Sequence, residues 1–85
     1  MGKYELVVRK SVLKDLRTIP EKDVKRILRR IESLRTEPRP SGCEKLSGQE
    51  RYRLRQGTYR ILYEISDTKL IVTVVKIGHR KKVYD

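Results

Sequence analysis

The sequence has one cysteine, Cys43, and one histidine, His79, with no Trp and no Phe. A single cysteine cannot form an internal disulfide, and one Cys with one His cannot supply the four ligands of a structural zinc site. Only five glycines are present, and none belongs to a GxxxxGK or GxGxxG phosphate-binding loop. We therefore expect neither a metal nor a nucleotide cofactor.

Long apolar runs are also missing. The longest, Leu70–Val75, is interrupted by Thr73 and is far shorter than the roughly 20 residues of a membrane span. The N-terminal segment lacks the apolar region of a signal peptide, and Leu6 occupies the position where a myristoylation signal has Ser or Thr. These observations predict a cytoplasmic protein.

Acidic residues are scarce, because 11 Asp+Glu face 22 Lys+Arg, which gives a formal net charge of +11. The 85 residues suffice for a single domain, which we place at 1–85. So large a positive charge favours a polyanionic partner, of which nucleic acid is the simplest. Disorder is the alternative for a highly charged chain, but apolar residues in periodic blocks between Gly and Pro favour a folded domain.

The first half of the chain predicts a strand and two helices. Tyr4–Val8 has the β-branched and aromatic content of a strand, and Ser11–Thr18 follows as a helix capped by Ser11 and ended by Pro20. A second helix begins near Glu21 and ends before Pro38 and Pro40. The predicted buried positions of the two helices are Val12, Leu13, Leu16, Ile19, Val24, Ile27, Leu28, Ile31 and Leu34.

The second half predicts an antiparallel β-meander of three strands, 50–56, 59–66 and 69–77. The fold class is therefore α+β, with the helices packed on one face of the sheet. A two-residue turn at Gln56-Gly57 would place Leu54 opposite Tyr59 and Arg53 opposite Arg60. In that register one face is apolar, and the other carries Arg51, Arg53, Arg55 and Arg60, which we call the cation face.

Arginines directly opposite each other are destabilising, so something should compensate for Arg53 and Arg60. One interpretation is a solvated basic face that Glu64 partly neutralises. The other is that phosphates bind there, because the guanidinium fork matches phosphate oxygens. We favour phosphate binding, with Arg51, Arg53 and Arg55 as contacts.

The remaining candidates are aromatic or titratable. Tyr52, Tyr59 and Tyr63 fall on the apolar face and are predicted to pack in the core. Tyr84 lies in a basic tail and either anchors that tail or contacts a nucleotide. His79 alone has an unperturbed pKa suited to proton transfer near neutrality, which by itself is weak evidence of catalysis.

The order of these elements resembles the RelE/ParE superfamily of toxin–antitoxin toxins, and within it the RelE-like ribosome-dependent mRNA endonucleases. The resemblance spans nearly the whole chain and is carried by KLSG at 45–48, YRLR at 52–55, GTYRILY at 57–63, IGHR at 77–80 and Val83-Tyr84. It implies the RelE-like fold and cleavage of mRNA in the ribosomal A site, where a ribose 2′-hydroxyl attacks the adjacent phosphate. No cofactor is implied.

The resemblance also implies residue roles. Arg60 matches the arginine that neutralises the pentacoordinate phosphate, Arg80 the arginine at the leaving oxygen, and Tyr84 the tail tyrosine that orients the nucleotide. Arg51 and Arg53 stand where the family often has lysines beside the scissile phosphate. Because arginine scarcely loses its proton near pH 7, this difference leaves the general base open, and His79 is an alternative acid or base.

Two other functions are consistent with the predicted fold or with the positive charge. A ParE-like protein would inhibit DNA gyrase without nuclease chemistry, although that branch commonly lacks the tail tyrosine. A non-catalytic nucleic-acid-binding module would show steep salt dependence and no cleavage. For a toxin, the expected partners are mRNA, the 30S A site and an acidic antitoxin, and we expect a monomer that forms a heteromer with the antitoxin.

Overall fold

A computed structural model describes residues 3–46 and 50–79. The elements are β1 (Glu5–Val8), α1 (Lys10–Arg17), α2 (Glu21–Ser33), β2 (Glu44–Lys45), β3 (Arg51–Gln56), β4 (Tyr59–Ser66) and β5 (Ile71–His79). They form one mixed sheet in the order β1-β5-β4-β3-β2, in which β1 is parallel to β5 and every other pair is antiparallel. The predicted α+β class is confirmed. In the described ranges no helix is long and apolar enough to cross a membrane.

The helices pack on one face of the sheet. Ile27 and Ile31 recur at helical spacing along α2 and are essentially inaccessible, as is Val12 of α1. They belong to the same cluster as the strand residues Tyr52, Leu54, Ile61, Tyr63, Ile65, Val72, Val74 and Ile77. Burial of one such aliphatic side chain is worth about 1.5–3 kcal/mol, so this cluster holds the helices to the sheet.

The predicted cap of the first helix and two of the predicted buried positions were wrong. The first helix begins at Lys10 with Arg9 as its N-cap residue and has no side-chain cap, so Ser11 lies inside the helix. Leu13 and Leu28 are about half exposed, at 52% and 46%. Each follows a buried residue and is rotated by about 100° from it, which carries it off the narrow stripe that the sheet covers.

The β3–β4 turn is Gly57-Thr58, one residue later than predicted. Gly57 has φ +62°, and a two-residue hairpin turn requires a positive φ at its first central position. The register therefore places Arg55, rather than Arg53, opposite Arg60. The two faces are nevertheless as predicted, because pairing shifted by two residues keeps every side chain on its side of the sheet.

Leu62 lies on the cation face, opposite Arg53, and is buried. It forms a second small apolar cluster with Leu46 and Val75. The β4–β5 pairing shifts beside Leu62, so that Tyr63 pairs with Val74 and Leu62 with Lys76, which leaves Val75 as the extra residue of a bulge. Apolar packing thus lies beneath the charged side chains on this face.

A polar cluster ties β1 to the segment before β2 and to the β4–β5 turn. Arg39 donates two hydrogen bonds to Asp67, at 3.2 and 2.8 Å, and a third to the Tyr52 hydroxyl at 3.1 Å. The Tyr4 hydroxyl also donates to Asp67, at 2.8 Å. These bonds, led by that from Arg39, hold the pKa of the Asp67 carboxyl below its ordinary value of 3.8.

We expect Asp67→Asn to lower the free energy of unfolding at pH 7. A carboxyl whose pKa is depressed by folding adds stability above its unfolded pKa and loses it as the pH falls through the folded pKa. The difference from the wild type should therefore shrink below about pH 4. Urea denaturation at pH 7 and pH 3 measures it, and an unchanged difference at the two pH values would contradict it. The exposed Glu37→Gln variant is the control for loss of one carboxylate.

Candidate functional site

The cation face lies on the side of the sheet opposite the helices. Its four arginines come from two neighbouring strands, β3 and β4, whose alternation turns every second side chain to this side. Arg51, Arg53 and Arg60 are partly buried, and Arg55 at the hairpin end is exposed. The structure therefore brings together all four arginines predicted for this face.

Two of the arginines have carboxylate partners. Arg51 Nη2 lies 2.9 Å from Oε2 of Glu64, which is directly opposite it on β4. Arg53 donates from Nε and Nη2 to one oxygen of Glu44, at 3.2 and 2.8 Å. The ion pair with Glu64 is the one expected from the interpretation as a solvated basic face, which we did not favour, and Glu44 neutralises a second part of the charge.

Arg60 combines two features that no other arginine of the cation face has together, since within residues 3–46 and 50–79 Arg51 also has a buried Nε without a partner but forms an ion pair, and Arg55 has no ion pair but is exposed. Among the residues that the structure describes, Arg60 has no ion pair, and its buried Nε has no hydrogen-bond partner. Gly78 is its direct neighbour on β5, so no side chain stands beside it from that strand. A buried donor without a partner is costly, and an anion at the guanidinium would repay that cost.

The electrostatics of Glu44 show where such an anion is favoured. The pKa of its carboxyl lies below the ordinary value of 4.5, first because of the hydrogen bonds from Arg53 and further because of the charges of Arg55 and Arg60. Three arginines of the cation face therefore stabilise negative charge at the Glu44 carboxylate. A phosphate in this region would meet the same field.

We expect Glu44→Gln to tighten binding of an uncleavable RNA oligonucleotide by about threefold to tenfold, because an anion that competes for Arg53 is removed. Glu37→Gln is the matched control, since it also removes one charge, and Glu37 is an exposed residue that pairs with no arginine of the cation face in the described structure. Fluorescence anisotropy at fixed salt measures both variants. Equal effects of the two substitutions would contradict a specific role for Glu44.

His79 is not brought together with Arg60. It pairs across the ladder with Tyr59, and the two rings meet edge to face at 5.9 Å between centroids. Tyr59 packs against the core cluster, so His79 lies on the helix-bearing face. The other two predicted residues, Arg80 and Tyr84, lie outside the described residues.

The core tyrosines are placed as predicted. Tyr52 and Tyr63 are buried with centroids 5.8 Å apart, and Tyr59 is partly buried. Tyr63 donates its hydroxyl to the Pro38 carbonyl at 2.8 Å, and burial raises its pKa above the ordinary value. A phenol with a raised pKa stays protonated near pH 7 and cannot accept a proton, so this geometry gives Tyr63 a structural role.

Two features of the site were missed at the level of sequence. Glu44 reaches Arg53 from β2, a strand of only two residues with no periodic signal of its own. Gly78 becomes the neighbour of Arg60 only through the bulged β4–β5 register. The sequence offered one indication of Glu44. Acidic residues are scarce, so few carboxylates could neutralise the cation face, and Glu44 is one of these few.

A family model described as the ParE toxin of type II toxin–antitoxin systems matches residues 6–84. A protein of Methanocaldococcus jannaschii described as a toxin, RelE1, is 33% identical over 86 aligned positions, which cover 96% of each chain.

Solved structures agree with the sequence matches. The archaeal RelE–RelB complex from Pyrococcus horikoshii has a TM-score of 0.84 at 28% identity, covering 95% of this chain and 99% of that one. The RelB–RelE complex from Methanococcus jannaschii has a TM-score of 0.75 at 30% identity, covering 93% and 95%. The α+β fold of this chain is thus the fold of the RelE chains in these complexes. The chain belongs to the RelE/ParE family of toxins of toxin–antitoxin systems.

Proposed function

We propose that this toxin is an endoribonuclease that cuts mRNA in the ribosomal A site and so inhibits translation. The observation that carries the proposal is Arg60, a partly buried guanidinium without a carboxylate in the described structure, in a cluster that stabilises negative charge. RNA would supply the phosphate for this position, and the resemblance to the RelE-like mRNA endonucleases within this family favours RNA as the substrate.

In the proposed reaction the ribose 2′-oxygen forms a bond to the adjacent phosphorus, and the bond from phosphorus to the 5′-oxygen breaks. The products are a 2′,3′-cyclic phosphate and a free 5′-hydroxyl. The phosphorane transition state gathers negative charge on its equatorial oxygens, which Arg60 would stabilise, with Arg51, Arg53 and Arg55 holding the flanking backbone. Preorganised charge of this kind contributes to the rate without moving a proton.

Proton transfer needs other groups, because arginine stays protonated near pH 7. We assign the 2′-hydroxyl proton to the phenolate form of Tyr84, which forms near neutral pH only where neighbouring cations lower the pKa of the phenol, and which later releases the proton to solvent. Arg80 would stabilise the departing 5′-oxygen, which takes its proton from solvent. His79 stays outside this path, because it lies on the face opposite Arg60.

The proposed partner besides mRNA and the ribosome is an acidic antitoxin. The P. horikoshii and M. jannaschii relatives are each solved as RelE–RelB complexes, and the net charge of +11 favours an acidic protein here. The toxin would act in the cytoplasm as a monomer when not bound to its antitoxin. Recovery of ribosomes and no small acidic protein from the native host would count against this partner.

Primer extension on a defined mRNA tests the proposal. Ribosomes stalled with an empty A site receive the purified toxin, and a parallel reaction measures supercoiling by DNA gyrase. We expect a new stop at the A-site codon and unchanged supercoiling. Intact mRNA with inhibited gyrase would favour the ParE-like function, and intact mRNA with salt-sensitive RNA binding would favour a non-catalytic module.

A further inference from the structure

The outward side of α2 carries five cations that differ from those of the cation face. Within residues 3–46 and 50–79 none of them forms an ion pair, whereas Arg51 and Arg53 each have a carboxylate. The acidic Glu32 of α2 pairs with Arg35 beyond the helix end. The unpaired cations are Lys22, Lys25, Arg26, Arg29 and Arg30.

Their spacing makes this arrangement costly. Lys22, Arg26 and Arg30 follow one another at intervals of four residues, and like charges at that spacing destabilise an isolated helix by a few tenths of a kcal/mol per pair. Solubility alone would be served by alternating signs. The repeated positive charge indicates that an anion outside this chain completes the surface.

Two adjoining depressions, with volumes of about 360 and 320 Å³, are lined by four of these cations, all except Lys25. They share Arg26 and Gln56, so they form one continuous groove between α2 and the β3–β4 turn. We call it the α2 groove. Among the described residues, four cations line it, Lys22, Arg26, Arg29 and Arg30, against one carboxylate, Asp23, and Gln56 belongs to the opposite wall.

The lining distinguishes between polyanions. A peptide helix docks through apolar anchors, and the α2 groove has no aliphatic side chain among its described lining residues. Single-stranded RNA is held largely by stacking on aromatic rings, and the one aromatic lining residue, Tyr59, already packs edge-on against His79. What remains is contact with a phosphodiester backbone, which is how double-helical RNA is mainly recognised.

The geometry fits a regular backbone. Residues four apart on a helix are separated by about 6 Å along its axis and turned by about 40°, so Lys22, Arg26 and Arg30 form a row of charges that is inclined to the axis and rises over about 12 Å. Such a row can follow successive phosphates of one strand. Gln56 adds an amide that can donate a hydrogen bond from the opposite wall.

The α2 groove and the cation face lie on opposite sides of the sheet and meet at the β3–β4 turn. A short RNA strand bound at Arg60 would therefore not occupy the α2 groove as well, and the α2 groove would bind a different RNA segment. We propose that the α2 groove binds the backbone of double-helical RNA surrounding the strand to be cleaved. This inference rests on the proposed function, because the proposed function is the reason for choosing RNA as the polyanion.

The test compares two variants that each lose three positive charges. Arg26→Gln/Arg29→Gln/Arg30→Gln alters the α2 groove, and Lys10→Gln/Lys14→Gln/Arg17→Gln alters exposed positions of α1. Binding to a 16-base-pair RNA hairpin and to a 16-nucleotide single strand is measured by anisotropy across a salt series. For the hairpin, the α2 variant should lose about two to three units of the slope of log K against log salt, and the α1 variant much less.

Glutamine is a good helix former, and removal of like charges relieves repulsion, so the α2 variant should unfold in urea no earlier than the wild type. Equal slopes for the two variants, or an equal loss on hairpin and single strand, would overturn the inference. The Arg60→Ala variant separates this inference from the proposed function, since it should lower the rate of cleavage by about two to three orders of magnitude and keep the hairpin slope. A wild type that cleaves no mRNA but shows the α2-specific slope loss would refute only the nuclease.

Discussion

Substitution of Arg60 by alanine should lower the single-turnover rate of mRNA cleavage on the ribosome by about two to three orders of magnitude, the usual cost of removing one preorganised charge-stabilising donor. Arg60 has no carboxylate partner in the described residues, so its charge is available to the phosphate. Arg55→Ala is the matched control. It removes the arginine directly opposite, which is exposed, and should cost much less.

The same pair of variants has a stability readout. Arg55 and Arg60 oppose each other across the β3–β4 ladder, so loss of either should leave the free energy of unfolding unchanged or slightly higher. Urea denaturation followed by circular dichroism measures this. Loss of cooperative unfolding in Arg60→Ala, or equal losses of activity in the two variants, would contradict the role given to Arg60.

Gly78→Val should abolish most cleavage although it removes no charge. Gly78 pairs with Arg60 on the cation face, so a branched side chain there would occupy the space in which we place the phosphate. Gly78 lies in β5 without a positive φ, and valine favours strands, so the backbone should accept the change. We expect a loss of about tenfold to a hundredfold, the cost of roughly an ångström of misplacement.

Single-turnover cleavage and urea denaturation should be measured together for Gly78→Val. Gly57→Val is the contrasting variant, because Gly57 has φ +62° and should lose stability through backbone strain. Full activity in a stably folded Gly78→Val protein would show that the phosphate lies elsewhere. That result would not contradict the description of the cation face itself.

The sequence best predicted the elements whose apolar residues recur at a regular spacing. The start of α2 at Glu21 and the bounds of β4 are as predicted, because burial of Ile27 and Ile31 at helical spacing and of alternate residues in β4 specifies each element. The first helix was less well placed. Only eight residues long, it is defined by its packing on β5, and its cap involves no side chain that sequence could reveal.

The membership of the cation face was predictable, but its contacts were not. Alternation alone assigns the four arginines to one side, and this survives an error of two residues in register. Which arginine opposes Arg60 depends on the position of Gly57 in the turn, and the pairing of Arg53 with Glu44 depends on the two-residue β2. Contacts of this kind come from tertiary packing and leave no local pattern.

The most direct test of the central claim is cleavage of ribosome-bound mRNA that carries one 2′-deoxy nucleotide on the 5′ side of the scissile phosphate. The wild-type toxin should cut the all-ribose message at the A-site codon, leave a cyclic phosphate and spare the 2′-deoxy message. Cleavage of both messages at the same rate would contradict attack by the 2′-hydroxyl, and cleavage of neither would contradict the ribonuclease function itself.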